Sequence, residues 1–153
     1  MKFPLFYFLS DKTLLTILSN SSKPGEVAKN LVDCFCGLKT IFFVQDAQGN
    51  TTKESYMMQS QDDETLEFDK VKNYMCVGEV EDWLRQLEAH MQIVLKAEIN
   101  AYIDDMGKEQ DFRIEKWIDD KIMQLALLMD QVNWTAECSK AFDELEEGTM
   151  RHA

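Results

Sequence analysis

The sequence predicts a mainly α, α+β fold: an antiparallel bundle of long helices with a small antiparallel β meander between N-terminal and C-terminal helices. Three observations carry this. From Val80 to Leu95 apolar residues recur at three-four spacing, over roughly four turns. From Leu38 to Val44 the chain is instead β-branched and aromatic, and turn chemistry follows it. The length of 153 residues, with 45% apolar and 29% charged, suits one domain that closes a core without staples. That domain is expected to span 1–153, with short helices over 1–37, the meander over 38–77, the bundle over 78–145 and a frayed tail over 146–153.

Each element has a local reason. Phe3 to Leu9 is aromatic, apolar and short, and reads as an extended stretch packed into a core. Ser10 or Asp11 can accept from an exposed N–H of a first helical turn, and Leu14, Leu15, Ile17 and Leu18 make that helix, ended by Asn20-Ser21-Ser22. Pro24 suits a helix start because it lacks only an N–H that has no partner there. Val27, Leu31, Cys34 and Phe35 then continue at helical spacing as far as Gly37, a left-handed stop.

Leu38 to Val44 is the first strand, and Asp46 to Asn50 is a turn. Ser55 to Met58 and Thr65 to Phe68 are two more strands, with Gln61-Asp62-Asp63-Glu64 turning between them. From Gly78 the chain is helical. Val80, Trp83, Leu84, Leu87, Met91, Val94 and Leu95 form one stripe, and the helix is expected to run to about Asp104 and break at Gly107. A second long helix carries Ile114, Trp117, Ile118, Ile122, Leu125, Leu128, Met129 and Val132, with a stripe wide enough for burial on more than one side. Thr135 can cap a last short helix holding Cys138, Ala141, Phe142 and Leu145. A short link between two long helices implies an antiparallel pair.

The formal net charge of −12, from 16 basic and 28 acidic residues, argues against nucleic acid and anionic membranes, since both select clustered cations. Lys2 and Phe3 to Leu9 faintly imitate a leader, but Pro4 interrupts the run and no small-residue cleavage site follows. The expected location is therefore the cytosol, with Cys34, Cys36, Cys76 and Cys138 as reduced thiols.

Catalytic constellations do not emerge. The six glycines stand apart, so no phosphate loop forms. His90 sits inside a predicted helix and His152 in the tail, neither with a partnered nucleophile; His90 reads as a surface or satisfied histidine. Cys34-x-Cys36 lacks a second spaced pair for zinc, and the cysteines read as small buried apolar residues. The acidic groups Asp62-Asp63-Glu64 and Asp104-Asp105 lack the alternating oxygen ligands of a calcium loop. The residues singled out are for packing or inter-domain contact: Phe6, Tyr7, Phe8, Trp83, Leu87, Met91, Trp117 and Trp134. No catalytic, cofactor-binding or metal residue is assigned.

The order of residues resembles a known family over about 3–145. Phe3-Pro4-Leu5-Phe6-Tyr7-Phe8-Leu9-Ser10, followed by Leu14-Leu15-Thr16-Ile17-Leu18, is similar to a stretch of dynein heavy chain linkers. So are Lys23-Pro24 with Asn30-Leu31 and Cys34-Phe35; Val80-Glu81-Asp82-Trp83-Leu84 with Leu87-Glu88 and Met91; and Trp117-Ile118-Asp119 with Gln124-Leu125, Gln131-Val132 and Trp134-Thr135. The stretch from Trp117 to Leu125 looks more like cytoplasmic than axonemal chains, which usually carry Pro-Gly at Ile122-Met123. Leu5 replaces the usual arginine, Lys12-Thr13 an acidic helix start, and Met57 and Asp63 stand where the family has glycines.

The resemblance implies the C-terminal part of the linker preceding the first AAA module: a non-catalytic segment that transmits ATP-driven change in the AAA ring of a microtubule motor. ATP and magnesium would belong to that ring. The implied partners are the ring and the rest of the linker in the same heavy chain and, through the parent complex, dynein intermediate chains, light intermediate chains and microtubules. The implied setting is the cytoplasm and microtubule cytoskeleton, with the ciliary axoneme as the other. The exposed aromatic end at Phe6–Phe8 is expected to pack on the other linker half and to promote self-association in isolation. The alternative is a free-standing helical adaptor that binds a partner helix along the Trp83–Met91 stripe.

Overall fold

The computed structural model describes residues 3–108 and 122–151. The fold is mixed α/β with an antiparallel sheet. The chain divides into two compact units, Met1–Ala97 and Glu98–Ala153.

The first unit opens with a 3-10 helix, Pro4–Phe8, rather than the extended stretch expected. Pro4 presets the first φ, and Leu9 N–H closes the turn onto Phe6 C=O at 3.3 Å. The tight turn sends Phe6 inward and leaves Tyr7 and Phe8 exposed, so the three aromatics do not form one face. Helix α1 (Asp11–Ser19) follows, capped by Ser10, whose side chain accepts from Thr13 N–H at 3.2 Å.

The single helix expected from Pro24 towards Gly37 is two short ones, α2 (Pro24–Ala28) and α3 (Leu31–Cys34). Turn bonds part them: Asn30 N–H reaches Val27 C=O at 2.9 Å, and Asp33 N–H reaches Asn30 C=O at 3.2 Å. Both still bury one side, through Val27, Ala28, Leu31 and Cys34. Spacing alone could not see the break, because i, i+4 residues stay on one face across a tight turn. Gly37, at φ +86°, then redirects the chain into the sheet.

Strand β1 (Leu38–Gln45) pairs antiparallel with β2 (Thr51–Ser60). The other edge of β2 is shared by two short strands: β3 (Thr65–Glu67) lies beside Met57–Gln59, and β4 (Tyr74–Met75) beside Glu54–Ser55. Strand β2 is longer than the expected Ser55–Met58, and β4 was not expected, because it has too few residues to show a period. Polar side chains tie both hairpin turns. Asp46 Oδ1 accepts from Gln48 N–H at 2.9 Å and Asn50 N–H at 2.8 Å. Those bonds to Asn50 hold the Asp46 carboxyl below its ordinary range.

In the second turn, Ser60 Oγ accepts from Asp62 N–H and Glu64 N–H, both at 3.2 Å. Asp63 there has φ +65°, a left-handed conformation at a position where the resembled family carries glycine. Aspartate tolerates that backbone, and its carboxylate also pairs with Lys39 Nζ. A β-branched side chain tolerates it badly. Asp63→Val is therefore expected to lower the stability of the unit by about 1–2 kcal/mol, read as a shifted urea midpoint with an unchanged slope.

Helix α4 (Val80–Lys108) begins after Gly78 (φ +92°), and Asp82 and Trp83 N–H groups close the first turn onto Glu79 C=O. Its stripe of Val80, Trp83, Leu84, Leu87 and Val94 is buried with Phe3, Phe6, Ile17, Val27, Leu31, Leu38, Ile41, Met58, Phe68 and Tyr74. One core thus joins the N-terminal helices, the sheet and the start of α4. Gly107 does not end the helix, which continues to Lys108.

In the second unit, helix α5 (Met123–Arg151) runs unbroken through Thr135 as far as Arg151. Thr135 is not a cap: its hydroxyl donates to Gln131 C=O at 2.7 Å inside the helix. Of the wide stripe expected here, Leu125 and Met129 are buried, Ile122 and Val132 half-buried and Leu128 exposed. Tyr102 is buried, and its hydroxyl donates to Met129 C=O at 3.5 Å. Glu98 is buried as well. Ile114, Trp117 and Ile118 lie outside the described residues.

Candidate functional site

Among the described residues, buried polar groups gather where β4 meets α4, around Tyr74. The strand pairing puts Tyr74 opposite Ser55. The Tyr74 hydroxyl donates to Trp83 C=O, tying the sheet edge to the first turns of α4. Two helical turns later the His90 ring stands edge-on to Phe68, with centroids 4.9 Å apart, and tilted against Tyr74 at 5.1 Å. Three buried atoms here have no hydrogen-bond partner in the protein: Ser55 Oγ, Trp83 Nε1 and His90 Nε2. His90 is half-buried, with its Nε2 unpartnered among the described residues. The α4 spacing carries the signal, because His90 lies three residues past Leu87 and four before Val94, beside the buried stripe.

Electrostatics hold this cluster neutral. Burial pushes the Tyr74 hydroxyl up, with help from nearby Cys76. Burial raises the Cys76 thiol to about 12, against a smaller opposing pull from Lys53. Cys34 rises to about 11, through burial and then the charge of Asp33. A protonated thiol is the weak form of that nucleophile, and both groups pack as apolar residues. Cys36 does not follow the expectation of burial and is exposed. Among the described residues, no three His, Cys, Asp or Glu side chains gather as a metal site. No helix among them is long and apolar enough to cross a membrane.

Burial lowers the His90 pKa below 6.5, which gives a stability dependence of definite sign. The unfolded chain takes up this proton more readily than the folded one. His90 therefore costs no stability above the unfolded pKa of about 6.5, and the cost grows as pH falls through it towards the folded value. Urea midpoints are expected to drop between pH 7.5 and 5.5, and His90→Phe is expected to flatten that drop. Asp46 contributes loss only in the lower, carboxylate range, since its folded pKa is depressed.

The residues singled out for packing or interface divide between burial and exposure. Phe6, Trp83 and Leu87 are buried, and Met91 packs partly against the core. The Trp83–Met91 stripe is therefore spent on this chain's own interior and offers no free face to a partner helix. Tyr7 and Phe8 are 73% and 85% exposed, and Leu15 and Leu18 of α1 are exposed too. Trp134 is exposed on α5, and Trp117 lies outside the described residues.

A family model described as "Dynein heavy chain, N-terminal region 2" matches residues 1–102. Human "Dynein axonemal heavy chain 9" is 37% identical over 148 residues, 97% of this chain and 3% of that protein. "Dynein beta chain, ciliary" of Tripneustes gratilla is 35% identical over the same shares. "Dynein beta chain, flagellar outer arm" of Chlamydomonas reinhardtii is 34% identical over 95% of this chain and 3% of its own length. The chain spans about 3% of the length of the curated relatives it matches.

Proposed function

The chain belongs to the dynein heavy chain family, and from that premise we propose that it is a non-catalytic linker segment, transmitting force from an ATP-driven ring to the rest of the motor. The observation that carries this reading is α4. Its 29 residues extend about 43 Å at the α-helical rise. Its first four turns are anchored in a close-packed core that includes the sheet and all three N-terminal helices. A strut held this way passes displacement along its axis, because packed interiors compress little. The hydrogen bond from Tyr102 to Met129 supports the finer view that α4 and α5 pair as an antiparallel bundle.

ATP and magnesium act, in this reading, in the AAA ring and not in this chain. The partners proposed are the ring and remaining linker of the same heavy chain, with intermediate chains, light intermediate chains and microtubules reached through the complex. The relatives named above support an axonemal setting, against the cytoplasmic resemblance of the Trp117 to Leu125 stretch.

The test replaces the corresponding segment of a dynein heavy chain motor with this chain. Gliding of microtubules is expected to persist. A helical segment of equal length and unrelated sequence in its place is expected to slow gliding about tenfold or more while ring ATPase continues. Loss of gliding with this chain, or micromolar ATP binding by the chain alone in calorimetry, overturns the reading.

A further inference from the structure

Helix α5 has two apolar faces, and among the described residues of its unit only one is buried. Leu125, Ala126 and Met129 are buried. On the opposite side Leu127, Trp134 and Phe142 are 63%, 59% and 68% exposed. Leu127, Trp134 and Ala141 stand seven residues apart in a heptad rhythm, and Gln131, half-buried Cys138 and exposed Leu145 fill the alternate positions, with Phe142 beside the seam next to Ala141. This is the seam of a coiled coil, about five turns long.

A second, independent row has the same period. Asp130, Glu137 and Glu144 also stand seven residues apart, each exposed, each directly before a seam position. That is where charges choose the partner of a coiled coil. Their printed polar contacts are local and exposed: Asn133 donates to Glu137 at 3.2 Å, and Lys140 lies 4.0 Å from Glu144. Asp130 and Glu137 also lie close enough to Tyr102 for their charge to add to the burial that raises its hydroxyl pKa. Such contacts leave the carboxylates open to a stronger cationic partner. A second copy of this chain would bring the same negative row, on a molecule of net charge −12, against itself.

We propose that the open face of α5 is a docking seam for an amphipathic helix with a heptad apolar stripe flanked by a lysine or arginine row. The seam supplies apolar burial, Trp134 its largest side chain, and the Asp130–Glu137–Glu144 row supplies partner choice. This goes beyond the linker reading and stands or falls separately, because it concerns binding and not motion.

The test uses the full chain and two synthetic helices about three heptads long with one leucine seam, one flanked by lysine and arginine, the other by glutamate. The basic helix is expected to bind at least ~10-fold more tightly, with the preference shrinking as salt shortens the screening length. The triple variant Asp130→Lys, Glu137→Lys, Glu144→Lys is expected to reverse the preference. Leu127→Ser with Trp134→Ser is expected to abolish binding with unchanged helicity, since both residues are exposed. If that pair loses helicity, the charge reversal alone decides. Equal binding of the two peptides, binding of neither, an unchanged preference after charge reversal, or a dimer of the chain that Trp134→Ser dissolves each overturns the proposal. The gliding measurement above is unaffected by any of these outcomes.

Discussion

Trp83→Ala is expected to destabilise the first unit by about 3–5 kcal/mol, enough to unfold much of it at ambient temperature. Trp83 is among the largest fully buried side chains, at 1% exposure, and sits where α4, the sheet and the N-terminal helices share one core. Truncation leaves a cavity that surrounding rings cannot close without leaving their rotamers. Trp83→Phe separates packing from polarity. It keeps most of the ring and removes the indole N–H, which is buried with no partner in the protein. Removing an orphaned donor recovers part of what the lost volume costs. The phenylalanine variant is therefore expected to lose no more than about 2 kcal/mol. Urea unfolding of the three proteins checks the order; an alanine variant as stable as the parent would show that this tryptophan does not organise the core.

Leu125→Ala is expected to cost about 2–5 kcal/mol within the second unit and to act locally. The buried residues described there are few: Glu98, Tyr102, Leu125, Ala126 and Met129. Long helices gain most of their stability from such packing and little from propensity. Amide hydrogen exchange is expected to accelerate across 98–108 and 123–151, while the β1–β2 amides keep their protection. Uniform acceleration along the whole chain would mean that the two units unfold as one.

Some of the molecule was legible from local chemistry. A cap at Ser10 or Asp11, Gly37 as a left-handed stop and the Asp46–Asn50 turn each depend on a few neighbouring residues; the structure takes Ser10 as the cap and has the other two as expected. The stripe of Val80, Trp83, Leu84 and Leu87 was legible because helical periodicity survives burial. The failures share another cause. Pro4–Phe8 was misread because a five-residue apolar run fits a strand and a 3-10 turn equally well. Thr135 was misread because its hydroxyl can cap a helix or bond back within one, and sequence does not say which.

By itself, the amino-acid order determined the first long helix and its inward side, the β1–β2 hairpin, and the family to which the chain belongs. These depend on near-neighbour sterics, periodicity and residue identity, all carried along the chain. Only the tertiary structure decided that Tyr74 meets Trp83 and His90, that three buried polar atoms gather there, and that α5 keeps a second apolar face open. Such facts depend on which distant residues come together, and a contact between positions remote in sequence leaves no period to read.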